Sequence, residues 1–284
     1  MRTVDKRWDE TEEDFAARQL WESFHDSILY SNRFFIKHPL LELLKNYIKD
    51  NVITIPAGSL FYRARIIDDK AWKDHMLYKC EVATGEDKLN VEYFRKANRF
   101  RGLTKSASFV PPEGVIVGDG RSNPKYIKYL YVSEEPTTAL FEVRPLLTDT
   151  VNLAKIVVNS ELKIANISFD NNDSSQKERT KEMQVMRYIQ AAFSKPTNNV
   201  EDYLPTQIIA EYVKNLGYEG IQYNSSLYRK GINYTIFAYD KCEAMASQEF
   251  RIEDFKITAR AAITSVNYDG DLRYIVDNEP QYLH

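Results

Sequence analysis

Two arginines separated by one residue are candidate ligands for an anion. Arg63 and Arg65 lie in the stretch 60–66, whose composition is typical of a β-strand. Residues i and i+2 of a strand share a face, so we expect both guanidinium groups to point the same way. Because guanidinium groups match phosphate oxygens, the pair suits a pyrophosphate. A solvated strand face is the alternative interpretation.

A second candidate is the turn 120–124, which reads Gly120-Arg121-Ser122-Asn123-Pro124. Glycine permits a close backbone approach, while Arg121 and Asn123 offer hydrogen-bond donors to a ligand. An ordinary surface turn is the alternative.

The third candidate is an acid in an apolar helix. Glu142 follows Ala139-Leu140-Phe141, and Thr138 lies one turn earlier on the same side. A carboxylate at a buried face is costly unless it is paired or functional. An ion pair with Arg144 or with a strand arginine is the competing interpretation.

Ser225, in the corner 223–226, is the fourth candidate. No histidine lies near it in sequence, and no Gly-x-Ser-x-Gly elbow surrounds it, so a hydrolase nucleophile is poorly supported. A hydroxyl that binds phosphate or ribose is the more natural role.

Composition excludes several classes of protein. The chain has 284 residues, a net charge of −3 and a pI near 5.9, so no global basic field indicates nucleic acid. The chain has two cysteines far apart in sequence and four histidines with no close pair, which argues against a disulfide scaffold and against a zinc site. With no apolar signal sequence and no apolar span, we expect a cytoplasmic protein without membrane contact.

The elements that must position these residues follow from hydrophobic periodicity. Apolar steps of three and four residues predict helices within 10–50 and at 181–193 and 206–216, and Pro136 predicts the start of a further helix that Pro145 ends. Alternation and turn residues predict strands at 52–56, 60–66, 130–132, 151–158, 162–167, 220–223 and 233–238, with weak edge strands in 255–275. Residues 1–50 therefore form a predicted helical extension, and 51–284 the main domain, in which 68–100 is an irregular insertion or cover.

The order of these motifs resembles the RES domain, a family named for an arginine, a glutamate and a serine. The succession of the strand 61–65, the Phe-Val-Pro-Pro run at 109–112, the turn 120–124, the segment 138–145 and the corner 220–226 carries the resemblance, which spans about 52–240. It implies an α+β fold like that of ADP-ribosyltransferases, a mixed β core flanked by helices. It also implies NAD⁺ degradation, since several members are toxins of bacterial toxin–antitoxin pairs.

The resemblance places the family's functional residues at numbered positions of this chain. Arg63, Arg121, Glu142 and Ser225 take the catalytic roles, with Arg65 competing with Arg63 and Ser226 with Ser225. Tyr131 falls where an aromatic residue lines the nicotinamide side. The remaining expected ligand contacts are Asn123, Tyr223 and Asn233.

The implied reaction is cleavage of the nicotinamide–ribose bond by hydrolysis or phosphorolysis. NAD⁺ is then the substrate, inorganic phosphate is a candidate co-substrate, and no resident cofactor or metal is expected. Expected partners are a cognate antitoxin protein and a second copy of the chain, without membrane or nucleic acid.

Three other functions remain open. The same site could transfer ADP-ribose to a protein or nucleic acid, because only the final nucleophile differs. Arg33 and His38 have the Arg-x4-His spacing of a family of helical ribonucleases. Alternatively, the helical extension is a docking or dimerisation arm on a non-catalytic core.

Overall fold

The computed structural model describes residues 7–67, 103–169 and 180–252, except for the single positions 8, 32, 104, 112, 113, 196 and 198. The helices are α1 (Glu12–Tyr30), α2 (Pro39–Asp50), α3 (Lys105–Ser108), α4 (Pro136–Glu142), α5 (Lys181–Ser194) and α6 (Leu204–Asn215). The strands are β1 (Val52–Ile55), β2 (Leu60–Ile66), β3 (Leu130–Ser133), β4 (Thr150–Val158), β5 (Leu162–Asn166), β6 (Gly220–Asn224), β7 (Ile232–Ile236) and β8 (Cys242–Arg251). The expectations for 68–100 and 255–275 lie outside the described residues.

The eight strands form one mixed sheet in the order β1-β5-β6-β7-β3-β2-β4-β8. The β5–β6 pair is parallel, and every other neighbouring pair is antiparallel. Helices pack against this sheet, so the α+β class with a mixed β core is confirmed. Among the described helices, none combines the length and apolar character that crossing a bilayer requires.

The first two helices complete the main apolar core. Thr11 caps α1 by accepting from the amide of Asp14, and His38 caps α2 by accepting from the amide of Leu40. Their buried side chains, among them Phe24 and Leu44, belong to the same cluster as those of α5 and α6 and one face of the sheet. The helices at 12–50 therefore share a hydrophobic core with the sheet that carries the candidate residues.

A second apolar cluster covers the other face of the sheet. It is built from alternate residues of β2, β3, β4, β5, β7 and β8. The sheet thus has a core on each face, and a residue's position along its strand decides which face it joins.

Strand β8 is an element that the sequence patterns miss. It pairs with β4 along the whole length of that strand, with a register irregularity at Lys155 and Ile156. Its sequence, CEAMASQEFR, lacks the β-branched residues that favour strands, and its buried positions are the small Cys242, Ala244 and Ser247. Pairing with β4, rather than local propensity, makes this segment extended.

Candidate active site

Six of the candidate residues line a cavity at the place where the sheet opens. Strands β2 and β3 pair at one position only, Tyr62 with Ser133, whereas their outer edges pair fully with β4 and β7. The cavity has a volume of about 230 Å³ and is lined by Tyr62, Arg63, Ala64, Arg121, Tyr131, Val132, Ser133, Ala139, Glu142, Val143, Tyr223 and Asn233.

Because β2 and β3 pair at only one position, side chains from both faces of the sheet can line the same cavity. The register pairs Tyr62 with Ser133 and Ser133 with Asn233, so these three side chains share one sheet face. Arg63 alternates to the opposite face, yet it also lines the cavity. In a fully paired sheet the backbone would separate Arg63 from the side chains on the other face. The opening between β2 and β3 instead places side chains from both faces within reach of one ligand.

Glu142 is the last residue of α4 and is half-buried in the cavity wall. Its Oε1 atom accepts a hydrogen bond from Ser225 Oγ at 2.6 Å and another from Asn233 Nδ2 at 2.7 Å. Within the described ranges, no residue hydrogen-bonds its Oε2 atom. The carboxylate is therefore held through one oxygen by two uncharged donors, and its second oxygen is available to a ligand.

Ser225 is held by its own loop. Its Oγ donates to Glu142 and accepts from the amides of Leu227 and Tyr228, both at 3.1 Å. A hydroxyl has one proton to donate and two lone pairs, so all its hydrogen-bonding capacity is used. In this arrangement Ser225 orients Glu142 rather than offering a nucleophile or a free ligand contact.

Arg121 is anchored at the C-terminal end of α5. Its Nη1 donates to the carbonyl of Ala192 at 3.2 Å and to that of Phe193. Helix C-termini carry unpaired carbonyls and a partial negative charge, which a guanidinium satisfies. This contact fixes a positive charge in the cavity wall.

The turn around Arg121 is built from close polar contacts. Asn123 Oδ1 accepts from the Tyr131 hydroxyl at 2.7 Å, and that hydroxyl accepts from the Ser122 amide at 2.9 Å. A Cβ on Gly120 would lie 2.2 Å from Asn123 Oδ1, so the close approach requires glycine. Burial raises the pKa of Tyr131 to about 12, which keeps its hydroxyl protonated as a donor.

Gln207 of α6 supports the same turn and carried no sequence motif. Its Nε2 donates to the carbonyls of Gly120 at 2.9 Å and Asn123 at 3.1 Å. No local pattern could have revealed it, because glutamine in a helix is ordinary and its partners lie far away in sequence.

Arg63 and Arg65 both turn toward α3, which confirms that they share a strand face. Arg63 Nη1 donates to the Ser108 carbonyl at 3.4 Å, and Arg65 Nη1 to the Ala107 carbonyl at 3.2 Å. Burial, with a smaller contribution from the charge of Arg65, lowers the pKa of Arg63 to about 10. An anion beside Arg63 would offset this penalty on its charged form.

The structure separates several paired candidates. Arg63 lines the cavity, whereas Arg65 is exposed and does not. Ser225 contacts Glu142, whereas Ser226 is exposed and donates to the Ser194 carbonyl at 2.6 Å. Asn123 is buried and holds Tyr131 in place rather than lining the cavity.

The other candidates are distributed as follows. Arg121, Tyr131, Tyr223 and Asn233 all line the cavity with Glu142, and burial raises the pKa of Tyr223. His38 serves as the cap of α2, where burial lowers its pKa. Across the described residues, no group of three or more potential metal ligands comes together.

A comparison with known families identifies the chain. The RES domain family model matches residues 94–258, which is more than half of the sequence. The chain belongs to the RES domain family. The matched range includes Arg121, Glu142 and Ser225, while Arg63 and Arg65 precede it.

Other comparisons add little to this assignment. No curated protein matches the sequence. One solved structure with similarity to this RES-domain chain is the crystal structure of the M. tuberculosis MbcT–MbcA toxin–antitoxin complex. The match has 14% sequence identity and a TM-score of 0.37, and it covers 75% of this chain and 94% of that one.

Proposed function

We propose that this RES-domain protein consumes NAD⁺ by cleaving the bond between nicotinamide and ribose. The observation that carries the proposal is Glu142, a cavity carboxylate whose Oε1 is held by two neutral donors while Oε2 stays available. Membership of a family that includes NAD⁺-degrading toxins supports the same substrate.

The reaction suits this carboxylate. As the C1′–N1 bond breaks, its electron pair leaves with nicotinamide and positive charge develops on the ribose. A carboxylate fixed beside the ribose stabilises that charge in the transition state, and it can also hold a ribose hydroxyl. Water or phosphate then supplies an oxygen to C1′ and loses a proton to solvent. Glu142 has the required charge, and its hydrogen bonds from Ser225 and Asn233 fix its direction before substrate binds.

The arginines suit the anionic part of the dinucleotide. Arg121 is fixed by the end of α5, and Arg63 is a half-buried cation whose pKa is lowered to about 10. A pyrophosphate beside them would gain charge-assisted hydrogen bonds and relieve the cost of burying Arg63.

The cavity size also bears on the binding mode. Its volume of about 230 Å³ is below the range of roughly 300–1,000 Å³ for drug-sized ligands. It therefore suits one end of the dinucleotide, and Tyr62 and Tyr131 offer aromatic surface to a nicotinamide ring.

We further propose that the protein acts as a toxin of a toxin–antitoxin or defence system, with NAD⁺ loss as its effect. A cognate antitoxin is the expected partner. Inorganic phosphate and water are the two candidate acceptors, giving ADP-ribose 1″-phosphate or ADP-ribose respectively.

The test is incubation of purified protein with NAD⁺, with and without phosphate, followed by identification of products by mass spectrometry. We expect release of nicotinamide, and Glu142→Gln should reduce it by about 10²-fold or more because the charge is lost while the shape is kept. Glu135→Gln is the matched control, since Glu135 is an exposed acid at the other end of the same helix and makes no side-chain capping bond. Absence of nicotinamide release by the unaltered protein, with either acceptor or with added cell extract, would refute the proposal. Labelled ADP-ribose on protein or nucleic acid would instead identify a transferase.

A further inference from the structure

Two buried polar residues that line the cavity beside Glu142 are not among the arginine, glutamate and serine that name the family. Ser133 ends β3 and Asn233 lies on β7, where the strand register makes them direct partners. The two residues are 3% and 4% exposed, respectively. Ser133 Oγ donates to Asn233 Oδ1 at 2.7 Å, and Asn233 Nδ2 donates to Glu142 Oε1 at 2.7 Å.

The chemistry of the three side chains fixes the direction of the hydrogen bonds from Ser133 through Asn233 to Glu142. An ionised carboxylate only accepts hydrogen bonds, so the side-chain amide of Asn233 must turn Nδ2 toward Glu142. The acceptor Oδ1 then faces Ser133, which has a hydroxyl proton to donate. The reverse orientation would place two acceptor oxygens, Asn233 Oδ1 and Glu142 Oε1, at hydrogen-bond distance from each other.

The two donors to Glu142 differ in how they are supported. Ser225 lies in the loop between β6 and β7, whereas Ser133 and Asn233 lie on adjacent strands inside the sheet. Groups on strands are held more precisely than groups on loops. Glu142 is itself the last residue of a seven-residue helix, where the helix backbone gives its side chain little restraint.

We infer that Ser133 and Asn233 are positioning residues that set the direction of the Glu142 carboxylate. They hold Oε1 against the sheet, and this leaves Oε2 as the oxygen that meets the ribose. The inference rests on the proposed function, but the hydrogen-bonded chain itself is present without substrate.

The kinetic test compares variants in the NAD⁺ assay. Asn233→Leu keeps the approximate shape and removes the donor, so kcat should fall by about 10–100-fold with KM within about threefold, because orientation in the transition state is lost. Ser133→Ala should lower kcat by about 3–10-fold, since Asn233 keeps its bond to Glu142 but loses its own support. Ser133→Thr, which keeps the hydroxyl, should restore most of the activity.

Ser247→Ala is the matched control for Ser133→Ala. Ser247 is also a buried strand serine, with a hydroxyl that donates to the Leu103 carbonyl at 2.7 Å, and it has no contact with Glu142. Its replacement should leave kcat unchanged while lowering stability to a similar extent. If both serine variants lose activity equally, or if Asn233→Leu retains full kcat, the inference is wrong.

A second readout does not depend on turnover. The signal of the Asn233 side-chain amide can be assigned in a ¹⁵N-correlated NMR spectrum, because it is absent from the spectrum of Asn233→Leu. We expect the protons of this NH₂ group to be protected from exchange with solvent. Ser133→Ala and Glu142→Gln should both move this signal, and Ser247→Ala should not. If the Asn233 amide protons are not protected and their signal does not move in Ser133→Ala or in Glu142→Gln, the inference is wrong even if NAD⁺ is consumed. Movement of the signal in a protein that consumes no NAD⁺ would confirm the hydrogen-bonded chain and refute only the proposed function.

Discussion

Replacing Gly231 with alanine tests how tightly the Ser225 loop must pack against the helix that carries Glu142. The Gly231 carbonyl accepts from the Ser225 amide at 2.7 Å, so the glycine closes the loop 225–231. A Cβ at this position would lie 2.5 Å from Thr138 Cγ2, 2.7 Å from Thr138 Oγ1 and 3.0 Å from Ser225 Cβ. Thr138 is fully buried on α4, one turn before Glu142.

The size of the effect follows from these distances. Carbon atoms pack at about 3.5–4.0 Å, so relief of the contact with Thr138 requires the loop or the helix to shift by about 1 Å. Such overpacking costs about 1–3 kcal/mol of the free energy of unfolding. The same shift would lengthen the 2.6 Å bond between Ser225 Oγ and Glu142 Oε1 beyond hydrogen-bonding distance. A misplacement of this size reduces turnover by about 10²-fold.

The assay combines chemical denaturation with the NAD⁺ assay for Gly231→Ala, Thr138→Ala and the double variant. Thr138→Ala removes the two closest of the three atoms that an alanine at 231 would meet and leaves only Ser225 Cβ at 3.0 Å, so it should recover most of the stability and kcat in the double variant. Thr138 Oγ1 is buried and has no hydrogen-bond partner among the described residues, which makes its removal inexpensive. Gly118→Ala is the control, since its Cβ would meet nothing within 4 Å.

Two results would refute this reasoning. Stability and turnover of Gly231→Ala equal to those of the Gly118→Ala control would show that the loop and α4 are not in close contact. Alternatively, the effects of Gly231→Ala and Thr138→Ala could add independently, which would show that the two residues are not coupled.

Two further predictions concern the turn that holds Arg121. Gln207→Leu removes the side-chain donor to the Gly120 carbonyl and one of the two donors to the Asn123 carbonyl, which also accepts from the Gly120 amide. The free energy of unfolding should therefore fall by about 1–3 kcal/mol, and an unchanged thermal midpoint would contradict this prediction. Ionisation of Tyr131 should lower the free energy of unfolding at alkaline pH, because the pKa of Tyr131 is about 12 in the folded protein and about 10 in the unfolded chain. Above pH 10 the unfolded state loses this proton first, so stability falls by about 1.4 kcal/mol per pH unit until pH 12. In Tyr131→Phe, the denaturation midpoint should fall less steeply with pH between pH 10 and pH 12 than in the unaltered protein. An identical slope in both proteins would show that ionisation of Tyr131 is not the cause of the fall.

The sequence predicted the local elements well because their causes are local. Apolar periodicity placed α5 and α6 within a few residues of their observed bounds, and alternation placed β2 and β4. Proline at 136 marked the start of α4 as expected. Strand β8 was missed because its residues have little intrinsic preference for the extended conformation, and only its pairing with β4 makes it a strand.

The order of the motifs, through their resemblance to the RES domain, predicted the chemistry, although each motif taken singly had an ordinary structural explanation. The choice between neighbours was beyond the sequence. Arg63 and Arg65 share a strand face, and only the opening between β2 and β3 decides that Arg63 borders the cavity. Ser225 and Ser226 differ only in where a loop turns each hydroxyl.

The support of Glu142 depends entirely on tertiary structure. Ser133 and Asn233 are 100 residues apart, and Asn233 and Glu142 are 91 residues apart. Their meeting depends on the β3–β7 register and on the packing of α4, which no local pattern encodes. The sequence by itself determined which chemical groups the site has; the tertiary structure decided which oxygen of Glu142 is held and which is left for a ligand, because hydrogen-bond direction depends on atoms brought together from distant parts of the chain.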